Sequence, residues 1–219
     1  MKEKKIEDVS VGRRDAFTGL KSALKDKQFW LLGFFLFFWT FSPSFGTPFF
    51  YYSVDTLKFD RAFFGLVASV GAAASAIGAL SYGFIARRFS TRKLLNWIIG
   101  IGVFGTIFQL IFFLASVKGD LSFARTLFVS ASAVFGIVNG ITFLTMMNAA
   151  ALSCPKWSEG TVFATLTACW NIGLLSSDAI GGFLFGKIGL VPLIWVSTIF
   201  TALTWFILPK LRFGDDQKV

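Results

Sequence analysis

Phe41-Ser42-Pro43-Ser44-Phe45-Gly46-Thr47-Pro48 interrupts an apolar run that extends from about 29 to 54 and is long enough to cross a bilayer. Pro43 and Pro48 have no backbone N–H, so the carbonyls of Trp39 and Ser44 lose their helical partners, while Gly46 tolerates dihedrals that a helix does not use. The span is therefore expected to bend or break here. In hydrocarbon, irregular backbone is tolerated only where it is buried in protein or lines a watery cavity, and discontinuous spans often mark transporter binding sites. A packing kink is the alternative, because Pro and Gly are common in transmembrane helices. A kink needs one proline, whereas this stretch has two with Gly46 between them.

Working outward, the composition is that of a membrane protein. Hydrophobic residues make up 55% of the chain, with 29 Phe and 7 Trp, and charged residues only 15%, against roughly 25% in soluble domains. The net charge of +9 does not point to nucleic acid, since the Lys and Arg residues sit at span ends rather than along a soluble face. The absence of His removes histidine-based metal, haem and general-base chemistry. Cys154 and Cys169 are not spaced as a ligand pair and suit apolar packing. No cofactor or metal is expected.

Six spans are expected, at about 29–54, 61–86, 94–116, 124–152, 160–185 and 189–209, flanked by a basic segment at 1–28 and a tail at 210–219. Within the first segment, Phe17, Leu20 and Leu24 recur at helical spacing, so 15–27 is read as an interfacial helix or a solvated tether. Lys and Arg at the span ends and beyond them, Arg61 and Arg125 included, divide 16 to 5 between the two sides, which places both termini and the connectors at Arg87 and Lys156 in the cytoplasm by the positive-inside rule. Small residues recur at Gly71, Ser75, Ala79 and Gly83, at Gly136 and Gly140, and at Gly182 and Gly186. These are stripes for close helix packing inside the bundle or, less favoured, for dimerisation.

Away from the span ends, Asp178 is the one formally charged side chain placed within the hydrocarbon, where insertion scales put an acid at about 2.5–3.5 kcal/mol. It shares a helical face with Thr167 and Asn171. Counting about 1.5 Å per residue, Asp178 lies at a depth similar to the Pro43–Pro48 break. Asp178 is thus expected to be protonated, near water or paired by another protein unit, with the carbonyls freed at the break as its hydrogen-bond partners. Asn139 and Asn148 lie nine residues apart on opposite faces. Asn139, nearer mid-membrane, is the candidate, and a helix–helix hydrogen bond is its structural alternative. Asp55, which with Thr56 ends the first span, is read as a cap or loop-ordering residue, with a role in substrate entry as the alternative.

Gly83-Phe84-Ile85-Ala86-Arg87-Arg88-Phe89-Ser90-Thr91-Arg92-Lys93 resembles the cytoplasmic signature of the major facilitator superfamily. Arg87 stands where an acid belongs and Ser90 where a second Gly belongs, so these cations are read as anchors and orientation signals. A more specific resemblance begins at Phe38-Trp39-Thr40 and runs through the break to Tyr51-Tyr52, Asp55-Thr56-Leu57-Lys58-Phe59 and Phe64-Gly65. With Tyr82-Gly83, Arg87-Arg88-Phe89, Cys154-Pro155 and Glu159-Gly160-Thr161, it is similar to the second half of the folate-biopterin transporter family. That resemblance implies an all-α membrane protein forming six helices of a major-facilitator-type twelve-helix fold, and it makes the third and sixth spans, with Gln109, peripheral. It implies a transporter half rather than an enzyme, moving folate, pterin or a related small organic anion, with proton coupling left open. The broken first span, the polar face of the fifth and the lone acid supply the candidate substrate and coupling residues for such a transporter: Asp178, Asn171, Thr167, Pro43, Gly46, Pro48 and Asn139. The family's first six spans are not in the sequence, so a fragment, a split product or a half that needs a partner is expected, the partner being a second six-span half or a second copy. The alternative is a noncatalytic subunit or transport-incompetent remnant that assembles with another six-span unit.

Overall fold

A computed structural model describes residues 21–55, 58–118, 121–154 and 159–213, and the side chains of 111–121 lie outside that description. The basic segment up to residue 20, Thr56, Leu57, Lys156 and the tail from 214 therefore lie outside the described residues. Helix α1 (Lys27–Phe41) starts at Asp26, whose carboxylate accepts from the Gln28 N–H at 2.9 Å. It stops at Ser42, and α2 (Gly46–Asp55) resumes the first span after the non-helical residues 42–45. The break read from Pro43, Gly46 and Pro48 is present.

Helix α3 (Arg61–Ala86) is capped by Asp60, which accepts from the Ala62 N–H at 3.2 Å. The cap expected at Asp55 thus falls five residues later, and Asp55 ends α2. Helices α4 (Thr91–Lys118), α5 (Leu121–Leu152) and α6 (Glu159–Ile188) follow. Gly189, at φ 77°, turns the chain into α7 (Leu190–Leu203), a left-handed conformation that favours glycine. Two 3₁₀ turns, Thr204–Phe206 and Leu208–Lys210, close the bundle.

Among the described residues every regular element is helical, and five stretches are long and apolar enough to cross a membrane: Lys27–Asp55, Arg61–Ala86, Thr91–Leu110, Ser122–Leu152 and Leu190–Lys210. The 30-residue α6 is long enough but more polar, with Thr161, Thr165, Thr167, Asn171, Ser176, Ser177 and Asp178 along it. Large apolar side chains are exposed to an extent unlike a soluble domain, while several hydroxyls are buried beside the apolar core. Leu80, Phe84 and Leu175 are exposed, whereas Thr145, Ser177, Ser197 and Thr201 are buried. A bilayer covers the former.

Helix α3 packs along α5, α1 along α6, and α4 along α7 and α5. In the first pair the glycines decide the approach. A Cβ on Gly78 would collide with the Ile137 carbonyl, one on Gly140 with the Ser75 carbonyl, and one on Gly136 with the Gly71 carbonyl. The backbones therefore meet directly, as small-residue stripes allow. Gly83, Gly182 and Gly186, expected on such stripes, have no neighbour within 4 Å of the Cβ position. In α6 the packing glycines are Gly173 and Gly181, which face Phe37, Thr40 and Ser44.

At one end Phe35, Leu36, Leu95, Ile99, Met146, Leu166 and Leu211 form a buried cluster. Hydrogen bonds fasten the C-terminal turn over it. Arg92 Nη2 donates to the Leu211 carbonyl, Gln28 Nε2 to the Lys210 carbonyl at 3.3 Å, and the Arg212 N–H to Gln28 Oε1 at 3.0 Å. Arg92 is thus a structural clasp as well as a cation at a span end. At the other end Phe49, Phe59, Leu110 and Ile194 gather a second cluster, and Arg125 stacks at 5.5 Å over Phe59 and 5.8 Å over Phe63.

Candidate functional site

The break is held by hydroxyls. Ser44 donates its N–H to the Ser177 carbonyl at 3.1 Å, and the Ser177 hydroxyl donates to the Ser42 carbonyl. Ser42 Oγ donates to the Ser197 carbonyl at 2.9 Å, and Thr201 Oγ1 donates to Ser42 Oγ at 3.3 Å. One turn earlier, Thr40 Oγ1 lies 2.9 Å from the Trp170 carbonyl. Within the break, α6 thereby pairs the Ser44 N–H and the Ser42 carbonyl, and α7 holds the Ser42 hydroxyl, the kind of pairing that irregular backbone in a low-dielectric setting requires.

The break and the Asp178 turn of α6 do meet, as their common depth predicts, but through Ser177. This corrects the expectation that the freed carbonyls bind Asp178. The physical reason is register: Gly173, Ser177 and Gly181 form the buried edge of α6, and the adjacent Asp178 is exposed with Asn171 on the outer face. Thr167 is half-buried and donates to the Phe163 carbonyl of its own helix at 2.7 Å. Pro43 and Pro48 are buried packing residues.

Beside the break lies a cavity of about 480 Å³ between α1, α4, α5 and α6. Trp39, Trp170, Phe45, Phe108, Phe128 and Phe135 supply aromatic walls, and Gln109, Asn139, Thr106, Thr142 and Ser132 supply polar groups. A second cavity of about 420 Å³ runs toward α2 and α3, with Gly46 and Phe50 in its wall, and shares Phe45, Gln109, Phe128 and Ser132 with the first. Gln109 stands where the two join. Asn139 and Gly46 are the sequence-predicted site residues that reach a cavity wall; Asp178, Asn171 and Thr167 line neither.

Several of the polar groups are already engaged. Ser132 Oγ donates to the Val67 carbonyl at 2.8 Å, and Thr106 Oγ1 donates to Val103 at 2.8 Å while meeting Thr198 Oγ1 at 3.0 Å. The carboxamides of Gln109 and Asn139 make no hydrogen bond to any described residue and face the open volume. Each offers an acceptor oxygen and two N–H donors. Free amides between indole and phenyl faces suit a flat polar heterocycle, stacked on its faces and hydrogen-bonded at its edge. No charged side chain lines this cavity, so it suits a neutral ring rather than a carboxylate.

Sequence reasoning set Gln109 aside as structural and did not single out Trp39 or Trp170. A usable signal was chemical: Gln109 lies within an apolar run, where an amide without a partner is costly. The hydroxyls of α7, at Ser197, Thr198, Thr201 and Thr204, were also passed over although their spacing marks one helical face. Cys154 and Cys169 are free thiols. Burial and then the neighbouring Glu159 charge push the Cys154 thiol above its ordinary value. No group of residues able to hold a metal ion occurs among the described residues.

The chain is similar to known proteins over most of its length. It is 26% identical to a folate-biopterin transporter of Synechocystis sp. over 203 residues, covering 89% of this chain and 41% of that protein. Two proteins of Arabidopsis thaliana match as well. Probable folate-biopterin transporter 4 is 27% identical over 71% of this chain and 30% of its own length, and probable folate-biopterin transporter 6 is 29% identical over 77% and 36%. The chain therefore spans about two fifths or less of the length of these relatives. No solved structure matches it. The profile of the BT1 family matches residues 5–209, nearly the whole of the chain, which accordingly belongs to that family, the family of the folate-biopterin transporters.

Proposed function

We propose that this membrane protein works as one half of a secondary transporter for folate, pterin or a related small organic anion. The observation that carries the proposal is the cavity of about 480 Å³ lined by the free amides of Gln109 and Asn139 and by the indoles of Trp39 and Trp170. A pterin ring presents edge donors and acceptors and two aromatic faces, which match those amides and walls. The ring enters the cavity and the anionic part of the ligand stays outside it, because the walls are uncharged.

In this proposal α6 is also a span, the fifth of six in chain order, and both termini are cytoplasmic. Spans one to three and four to six form two inverted repeats of a major-facilitator-type half. The packing pairs support that symmetry: exchanging the repeats carries the α1–α6 pair onto α5–α3, and α4–α7 onto itself. The exposed face of α6, with Asn171 and Asp178, is where a second six-span unit or a second copy docks, since an acid facing lipid carries a cost of about 2.5–3.5 kcal/mol. Asp178 is the proposed coupling group and the break the proposed pivot of the first span.

The same exposed face also favours a second reading, a subunit that assembles with another six-span unit without transporting. Uptake separates the two. Vesicles containing the chain together with its second half should accumulate labelled folate or pterin, and replacing Asn139 and Gln109 by Leu in the same assembly should abolish accumulation. Unchanged uptake in that double variant contradicts the transporter reading.

A further inference from the structure

Between α3, α4 and α5, at the connector 87–90, lies a groove of a second kind, about 210 Å³. Every lining side chain is apolar except Lys93 at its mouth. Phe89 and Trp97 form the rim with ring centroids 5.8 Å apart, and both are exposed. Ile101, Val138 and Ile141 form its floor. Ile101 lies eight residues beyond Lys93 on α4, so the groove reaches ~12 Å into the apolar layer. Arg87 and Arg88 immediately precede the rim residue Phe89 in the chain and are exposed, and neither they nor Lys93 have an ion-pair partner among the described residues.

The geometry points to a binding site for an anionic glycerophospholipid, one acyl chain lying along Ile101, Val138 and Ile141 and the phosphate held by Lys93 and Arg88. Three features select that occupant. The groove is wholly apolar within and cationic only at its mouth, which is the charge pattern of such a lipid reversed. Its aromatic rim marks the depth at which headgroups lie. Basic pockets between transmembrane helices are suited to anionic headgroups. A zwitterionic lipid would fill the groove but gain little from three uncompensated cations.

Occupancy also bears on the neighbouring cavity. Ile98, Ile101 and Val138 belong to the walls of both, so a bound chain seals one side of the aromatic cavity. The assignment rests on α3, α4 and α5 lying in a membrane and not on what the protein transports, so the lipid experiment and the uptake experiment fail independently.

The test is native mass spectrometry of the purified protein after incubation in vesicles of equimolar phosphatidylglycerol and phosphatidylcholine with identical chains. The wild type should retain phosphatidylglycerol in preference, and Lys93→Gln should reduce that preference about fivefold, the effect of one surface cation. Ile101→Trp, which fills the floor, should remove bound lipid of both kinds. Should Ile101→Trp fail to fold, Lys93→Gln still decides. Equal retention of the two lipids by the wild type, or a preference unchanged in Lys93→Gln, overturns the assignment, and a co-purified protein in the groove instead of lipid does so too.

Discussion

Gly140→Ala should destabilise the protein although alanine is the better helix former. Its Cβ would fall on the Ser75 carbonyl and within 2.8 Å of the Ala79 nitrogen. Both obstacles are backbone, so α3 and α5 must separate along their length. Overpacking a close contact costs about 1–3 kcal/mol, and a rigid backbone obstacle belongs at the upper end. The helix-propensity gain of Ala over Gly returns about 1 kcal/mol, leaving a net loss of about 2 kcal/mol. Gly182→Ala is the matched control. It lies in α6 with nothing within 4 Å of the Cβ position, so it keeps the propensity gain alone. For a chain of this size, 1 kcal/mol moves the melting temperature by about 2–4 °C. Gly140→Ala should therefore melt about 4–8 °C below wild type in detergent and Gly182→Ala at or above it, read by fluorescence-detected size exclusion. If Gly140→Ala melts no lower than Gly182→Ala, the direct backbone contact between α3 and α5 is wrong.

Ser177→Ala should lower stability by about 0.6–1.7 kcal/mol, the range for interhelical hydrogen bonds in membranes, because it leaves the Ser42 carbonyl of the break with one partner fewer. Its neighbour Asp178→Asn should leave the fold intact, since no described residue hydrogen-bonds to that carboxylate, and should alter the pH dependence of uptake in the complete assembly; an unchanged profile removes Asp178 from coupling. Cys154 should react slowly with maleimide near pH 8, since its raised pKa leaves little thiolate. Glu159→Gln removes the nearby negative charge, lowers that pKa and should speed the reaction; an equal rate denies the coupling between the two groups.

The sequence announced the broken first span because two prolines and a glycine are local, chemical facts: whatever the tertiary context, Pro43 and Pro48 cannot donate. Helix limits were legible for the same reason, from apolar run length. What it did not announce was register. Whether Ser177 or Asp178 faces the break depends on the rotation of α6, and that is set by Gly173 and Gly181 against α1, a contact between distant segments. The same holds for the small-residue stripes. Gly136 and Gly140 meet α3 as expected, but Gly78 rather than Gly83 receives a partner, since spacing alone leaves the contact face undetermined. The resemblance makes the span of Gln109 peripheral, yet α4 brings this side chain to the walls of both cavities.

The central claim is that the amides of Gln109 and Asn139 recognise a heteroaromatic ring between indole walls. Equilibrium binding of a fluorescent pterin to the purified protein in nanodiscs, paired with its second half if it requires one, tests this most directly. Gln109→Leu and Asn139→Leu should each weaken binding about tenfold, the equivalent of one net hydrogen bond, without lowering the melting temperature, since neither amide holds another described residue. Wild-type affinity in both variants would contradict the claim.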